Sequence, residues 1–381
     1  MPHKAVLIGA GGYAANYVRK LLHPKMQPHL ELTAIVDPYA KNSEEYENFK
    51  HLPIFDTPEE FFATNKGETS LAIVSSPIHR HFQQCMAALD AGVHVLCEKP
   101  LVPTISQLNQ LADKAKAKGL ILAVGFQLSY APDMLEIKRR ILSGEFGRAI
   151  SMKAIVSWPR DFAYFNRGSG WAGKRLSHDG LLINDAVISN ATAHYIHNLL
   201  FVLGDKINTA APLNGLQAEC YRANDIETFD TIALRGRAAG ADIFYTATHA
   251  AQDVINPTLD YEFEKARIQI KIYMENPCTI THADGRVENL PMDVEAGEWA
   301  KLINTAEAIS GHTAPNCDVE TVRPVTALLD EIFATVPFQP FTPDSVITDE
   351  EKGCVYVPGL LPRLVEGHES GKLPSEITKA E

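Results

Sequence analysis

Long apolar runs, paired cysteines, internal repeats and an excess of basic charge are all missing from this 381-residue chain. No stretch approaches the roughly 20 consecutive apolar residues a membrane-spanning helix needs. The opening run "MPHKAVLIGAGG" is too short for a signal-peptide core and ends in a glycine turn, so no secretion leader is expected. Acidic residues outnumber basic ones, 47 to 35, for a net charge of -12. That balance argues against nucleic-acid or anionic-membrane partners, which favour a basic face. The six cysteines (Cys85, Cys97, Cys220, Cys278, Cys317, Cys354) form no C-x-x-C pair. No disulfide framework or metal site is expected, and reduced thiols suit a cytoplasmic protein.

What is present suggests two domains, since the chain exceeds the length at which single cores stop growing. Over residues 1–125 short apolar runs ("KAVLIGA", "LELTAIVD", "LAIVSSP", "HVLCEKP", "LILAVGF") alternate with amphipathic segments. This rhythm predicts βαβ units and a parallel sheet, with Thr104 as a helix N-cap and Gly92 and Gly119 just past helix ends. From residue 126 the pattern turns to strand-like runs such as "TFDTIALRG", "ADIFYTATHAA" and "LDYEFEKARIQIKIY", with a helix expected over 190–203. An α+β domain with a mostly antiparallel sheet is expected over 126–340, followed by a Pro- and Gly-rich tail, 341–381, packed on the surface.

The segment "GAGGYA" between the first strand and helix places Gly9, Gly11 and Ala14 at the G-x-G-x-x-G/A spacing, with Gly12 and Tyr13 inside the turn. Such a turn brings backbone close to a pyrophosphate at a helix N-terminus, so residues 1–125 are expected to form a Rossmann domain. Asp37 ends the second strand, where a carboxylate bonds ribose hydroxyls and repels a 2′-phosphate, favouring NAD over NADP; the alternative is that it caps the next turn. Ser75, Ser76 and Pro77 close the fourth strand and lie near cofactor by topology. His79 and His81 at the next helix start are helix-end histidines or cofactor contacts.

Taken together, "GAGGYA", "SSPIHRHF", "AALDAGVHVLCEKPL", "VGFQ" and "NATAHYIHNLLFVLG" resemble the Gfo/Idh/MocA oxidoreductases, the family of glucose-fructose oxidoreductase and inositol dehydrogenase. The resemblance implies a Rossmann domain plus a large open-faced sheet, with nicotinamide and a sugar or polyol bound. It implies that Glu98, Lys99 and Gln127 join the cofactor-binding set, that Lys99 is catalytic, and that the bond before Pro100 is often cis. His194 matches the family's general acid/base, ten residues before Gly204. The family's Asp four residues earlier is Asn190 here, about 40° away on a continuous helix and so on the same face. Asp185 would lie on the opposite face, and the family's preceding glycine run is replaced by Asn184–Ala186. His197, three residues after His194, is expected to support the site from behind or to be structural. In the loop "DFAYFNRGSGWAGK", Tyr164, Arg167 and Trp171 are substrate-binding candidates with Asn190 and Gln127, since sugar sites mix aromatic faces with forked donors; the alternative for Trp171 is a packing anchor or oligomer contact, and Asn166 and Lys174 share the loop.

The expected activity is NAD-dependent hydride transfer between nicotinamide and a secondary hydroxyl of a sugar, cyclitol or glycoside. The alternatives are a glycosidase or lyase acting by transient sugar oxidation, and a nicotinamide-binding regulator without turnover. Open sheet faces need cover, so a homodimer or homotetramer is expected. Titration with NADH and NADPH should show tighter binding of NADH, and Asp37→Ala should narrow the difference. A parent protein that binds NADPH better would remove Asp37 from the ribose site.

Overall fold

The computed structural model describes residues 1–377 apart from 66, 168, 169 and 276, and it divides into two compact units. The first comprises Met1–Pro132 and Val294–Thr326, the second Asp133–Asp293 and Ala327–Glu381. The expected boundaries at 125 and 340 are therefore corrected: the chain leaves the first unit, builds the second, and returns before ending. The pattern of residues 294–326 is helical but carries no mark of which core it joins.

In the first unit, β1 (His3–Ile8), β2 (Leu30–Val36), β3 (Ile54–Phe55), β4 (Leu71–Val74), β5 (His94–Cys97) and β6 (Leu122–Val124) form a sheet in the order β3-β2-β1-β4-β5-β6. Its pairs are all parallel. Every residue of β4 is buried, as expected of a strand covered on both faces. Thr104 caps the helix Ile105–Lys118 by accepting from the Gln107 amide, and Gly119 ends it at φ +65°. The order reverses direction beside β1, so the carboxyl ends of β1 and β4 flank the crevice where doubly wound sheets bind ligands. The returning helix Val294–Ile309 adds Leu302 and Ala306 to the core of this unit, with Trp299 packed against it. Residues 317–319 lie antiparallel to β6, through bonds from Val124 N–H to Cys317 O and from Val319 N–H to Leu122 O.

In the second unit, the described residues form a nine-stranded sheet from β7 (Ala149–Ser157), β8 (Asn214–Arg222), β9 (Thr231–Ala238), β10 (Ala241–Thr248), β11 (Ile255–Phe263), β12 (Ala266–Lys271), β13 (Cys278–His282), β14 (Val287–Leu290) and β15 (Phe338–Pro340). The order is β14-β13-β12-β11-β7-β10-β9-β8-β15, antiparallel except for the β7–β10 and β8–β15 pairs. The run 259–273 is a hairpin broken at Glu264–Lys265 rather than one strand. One face carries Leu234, Tyr245, Ala154, Leu259 and Ile270, all buried. It meets the helix Ala193–Phe201, where Tyr245 donates to Thr192 Oγ1 at 2.5 Å and Tyr261 to Asn198 Oδ1.

The opposite face is more polar, and the end of the chain covers its centre. Arg235 forms two 2.7 Å bonds to Glu376, Lys153 donates to the carbonyls of His368 and Glu369, and Phe244 packs with Leu373. Part of the cover that was expected from a second subunit is thus supplied by the chain itself. Among the described residues no helix is long and apolar enough to cross a membrane.

Candidate functional site

The glycine turn of the first unit is pressed against β4. Gly9 adopts φ +95°, and a Cβ there would stand 2.6 Å from the Ser75 carbonyl oxygen, so no other residue fits. A Cβ on Gly11 would meet nothing within 4 Å, which leaves open backbone beside the N-terminus of the helix Ala14–Leu22, where Tyr13 stands at the N-cap position without a side-chain cap. This is the form a pyrophosphate cradle requires, and the residues fit a dinucleotide. Asp37 follows β2 and accepts from the Ala10 amide through Oδ2 and from the Tyr39 amide through Oδ1, both at 2.8 Å. It therefore does cap the next turn, yet each oxygen retains a lone pair for a ribose hydroxyl.

Two residues expected to touch cofactor are instead braces. His81 is 1% exposed, with Nδ1 and Nε2 each 2.9 Å from a carbonyl oxygen, those of Pro100 and Ser76. It joins the "SSP" turn to the cis Lys99–Pro100 peptide, and burial lowers its pKa despite those carbonyls. Glu98 is buried as well: Oε1 accepts from Tyr17 and from Lys301, both at 2.6 Å, and Oε2 from the Lys99 amide at 3.1 Å. Burial alone would raise the Glu98 pKa, but the Lys301 charge, hydrogen bonds from Lys301 and Tyr17, and the Lys99 charge hold it below the usual range. A Cβ on Gly125 would fall 2.6 Å from Glu98 Oε1, so the glycine makes room for this carboxylate.

Lys99 itself is half-buried. Tyr13 extends its hydroxyl toward Gln127, Glu298 and Lys301 at 3.3–3.4 Å, and Ser76 donates to Gln84. Lys301 was not singled out in the sequence. Its only signal is an ammonium on the apolar face of a helix, beside Leu302 and Thr305, and its partner is 203 positions away.

In the second unit the helix begins at Ala193, so Asn190 lies in the turn before it rather than on the shared helical face expected with His194. Asn184 takes φ +52°, the left-handed conformation that glycine and asparagine tolerate best. Asp185 is buried and accepts from the Gly173 amide at 2.6 Å. His197 is buried and stacked on Phe201, its pKa pushed by burial to about 3, as befits a structural residue.

The loop candidates do come together. The Arg167 guanidinium carbon lies 3.7 Å from the Tyr164 ring centroid and 5.1 Å from that of Trp171. Gly168 and Ser169, within the same loop, are outside the described residues. Arg160, overlooked in the sequence, lies 4.5 Å from the Tyr164 ring and 5.7 Å from the Trp158 ring. Trp158 meets the rings of Tyr195 at 5.9 Å and Tyr273 at 6.5 Å, and Tyr195 adjoins His194. A strip of aromatic and guanidinium groups thus runs from His194 to Trp171. The signal was "SWPR", an aromatic and an arginine just where β7 ends. His249, beside Tyr164, is neutral because burial lowers its pKa to about 3; Nδ1 donates to the Trp158 carbonyl at 2.8 Å, leaving Nε2 an acceptor. Among the described residues Glu145, His282 and Glu288 bring three possible metal ligands together, but Glu288 is already paired with Arg140, Arg286 and His282.

Residues 3–126 match the model of an oxidoreductase family with an NAD-binding Rossmann fold, Gfo/Idh/MocA. The D-glucoside 3-dehydrogenase of Escherichia coli is 25% identical over 211 residues, 53% of this chain and 54% of that protein. The glucose-6-phosphate 3-dehydrogenase of Bacillus subtilis is 28% identical over 150 residues, 39% and 41% of the two chains. The chain spans about half the length of the curated relatives it matches. Among solved structures, a levoglucosan dehydrogenase in complex with NADH and levoglucosan superposes with a TM-score of 0.72 at 16% identity, over 88% of this chain and 97% of that one. The WlbA dehydrogenase of Bordetella pertussis, with NADH and UDP-GlcNAcA, gives 0.72 at 20% identity, over 88% and 96%. These structural likenesses establish the fold.

Lys301→Met strands a buried carboxylate and should destabilise the protein by about 3–5 kcal/mol at pH 7. In the parent, the depressed Glu98 pKa stabilises above the unfolded-state value, and that contribution is lost as pH falls through the folded one. In the variant, burial raises the Glu98 pKa, so stability should increase from pH 7 toward pH 5. Denaturant unfolding at both pH values measures this; an unchanged pH dependence would contradict the brace.

Proposed function

Because residues 3–126 match the model of the Gfo/Idh/MocA oxidoreductase family, we propose that this chain is an NAD-dependent dehydrogenase acting on a secondary hydroxyl of a sugar, cyclitol or glycoside. The observation that carries the reading is the half-buried Lys99 just after β5, its amide bound by Glu98 and the next carbonyl, that of Pro100, by His81, in the same unit as an open glycine turn. Asp37 supports NAD over NADP. The names of the relatives, a glucoside and a glucose-6-phosphate dehydrogenase, support a carbohydrate substrate.

Oxidation of a carbinol to a ketone removes a hydride from carbon and a proton from oxygen. Nicotinamide, when bound, supplies the hydride acceptor. The protein's share is to hold the sugar, take the proton and stabilise charge on the oxygen. His194 is the base, since an imidazole has an ordinary pKa of about 6.5 and a secondary alcohol ionises far above neutrality. Lys99 supplies the positive charge that favours the developing alkoxide. Tyr164, Arg167 and Trp171 bind the sugar, with Asn190 and Gln127 as further polar contacts. Gly9, Gly11, Gly12, Tyr13, Ala14, Ser75, Ser76 and Pro77 form the cofactor turn and its flank.

A panel of sugars, inositols and glycosides, assayed for NADH formation and for bond cleavage, tests this. NADH formation supports the dehydrogenase. Cleavage without net NADH moves the reading to transient oxidation and elimination, and tight NAD binding with no turnover moves it to a regulator. On an active substrate, His194→Ala and Lys99→Met should each lower turnover roughly 10²- to 10⁴-fold while NAD affinity is retained. Near-parent turnover in both variants would place the chemistry elsewhere.

A further inference from the structure

Resting on the dehydrogenase reading, we propose that the substrate carries an anionic group, a carboxylate or phosphate, bound by Arg160 and Arg167. Acidic residues outnumber basic ones in this chain, and several other arginines find carboxylates: Arg140 pairs with Glu145 and Glu288, Arg235 with Glu376, Arg267 with Asp260. Among the described residues, Arg160 and Arg167 pair with none. Both are half-buried and lie against the same ring, that of Tyr164, at 4.5 and 3.7 Å.

Two nearby carboxylates each accept from a backbone amide. Asp161 accepts from the Tyr164 amide at 2.8 Å, capping the short helix Phe162–Phe165, and Asp185 accepts from the Gly173 amide. A guanidinium resting on a ring face keeps its N–H donors in its own plane, where they match the paired oxygens of a carboxylate or phosphate. Two such cations flanking one ring repel each other, and an anion between or across them removes that cost. Neutral His249 adds no third positive charge and offers Nε2 to a hydroxyl. The contacts from Tyr164 through Arg160, Trp158 and Tyr195 reach His194, so the charged substituent lies toward one end of the strip and the proton acceptor at the other.

Calorimetric titration of the NAD-loaded protein with D-glucose, D-glucuronate and D-glucose 6-phosphate tests this, with NADH formation followed in parallel. The charged sugars should bind at least about tenfold more tightly than glucose, and added salt should shrink the difference. Whichever of the two binds better identifies the anion as carboxylate or phosphate. Arg167→Met and Arg160→Met, checked for folding by circular dichroism, should bring the ratio close to one. If either misfolds, the salt dependence of the parent still decides. Glucose binding as tightly as both charged sugars would overturn the inference and leave the dehydrogenase reading intact, whereas failure of every sugar to yield NADH would overturn the latter whatever the binding order.

Discussion

A carboxylate with 6% of its surface exposed stays ionised only beside a matching charge, and Glu98 has Lys301 2.6 Å away. Much of the first unit converges on that pair. Tyr17 reaches it from the helix after the glycine turn, Gly125 makes room for it after β6, and the Lys99 amide is bound to its other oxygen. The ammonium comes from the helix Val294–Ile309, which the chain supplies only after completing most of the second unit. Such pairs contribute little net stability over an apolar substitute, but breaking one is expensive. Their value here is positional: the pair fixes the backbone that presents Lys99. Of the two charged residues that end this apolar strand, Glu98 turns inward to be neutralised and Lys99 stays partly accessible.

The parts of this arrangement that were legible in the sequence are those set by local chemistry. The glycine spacing required a turn after β1, and Gly9 is held there by a contact that excludes any side chain. Thr104 and Gly119 marked a helix at both ends, and both marks are observed. Asp37 was open to two readings, and the structure realises the turn cap while leaving acceptor capacity for the other. Less legible was whatever depends on long-range pairing. Lys301 looks like any helical lysine until Glu98 is placed beside it. The division of the chain was misplaced because residues 294–326 carry an ordinary helical pattern whose core assignment is written elsewhere. Asn190 was put on the helix by counting from His194, and the helix begins three residues later than that count assumed.

In the second unit, the buried side of the sheet and the helix Ala193–Phe201 make a base, while the residues proposed to bind a substrate lie at strand ends and in the loop after β7. That division between scaffold and loop is usual for binding sites. Tyr273 adopts φ +67°, rare for an aromatic residue, and presents its ring to Trp158 in the same strip. The C-terminal segment takes up the centre of the opposite face through Arg235, Lys153 and Phe244, so the chain itself answers much of the need for cover that an open sheet creates.

The claim most in need of a direct test is that a carbon-bound hydrogen of a carbohydrate moves to nicotinamide. Sugars deuterated at individual ring carbons, incubated with the protein and NAD, allow the recovered NADH to be weighed by mass spectrometry. One carbon position should transfer its deuterium, raising NADH by one mass unit and slowing turnover through a primary isotope effect. NADH that remains unlabelled from every position, in a mixture where the sugar is nevertheless consumed, would contradict the account.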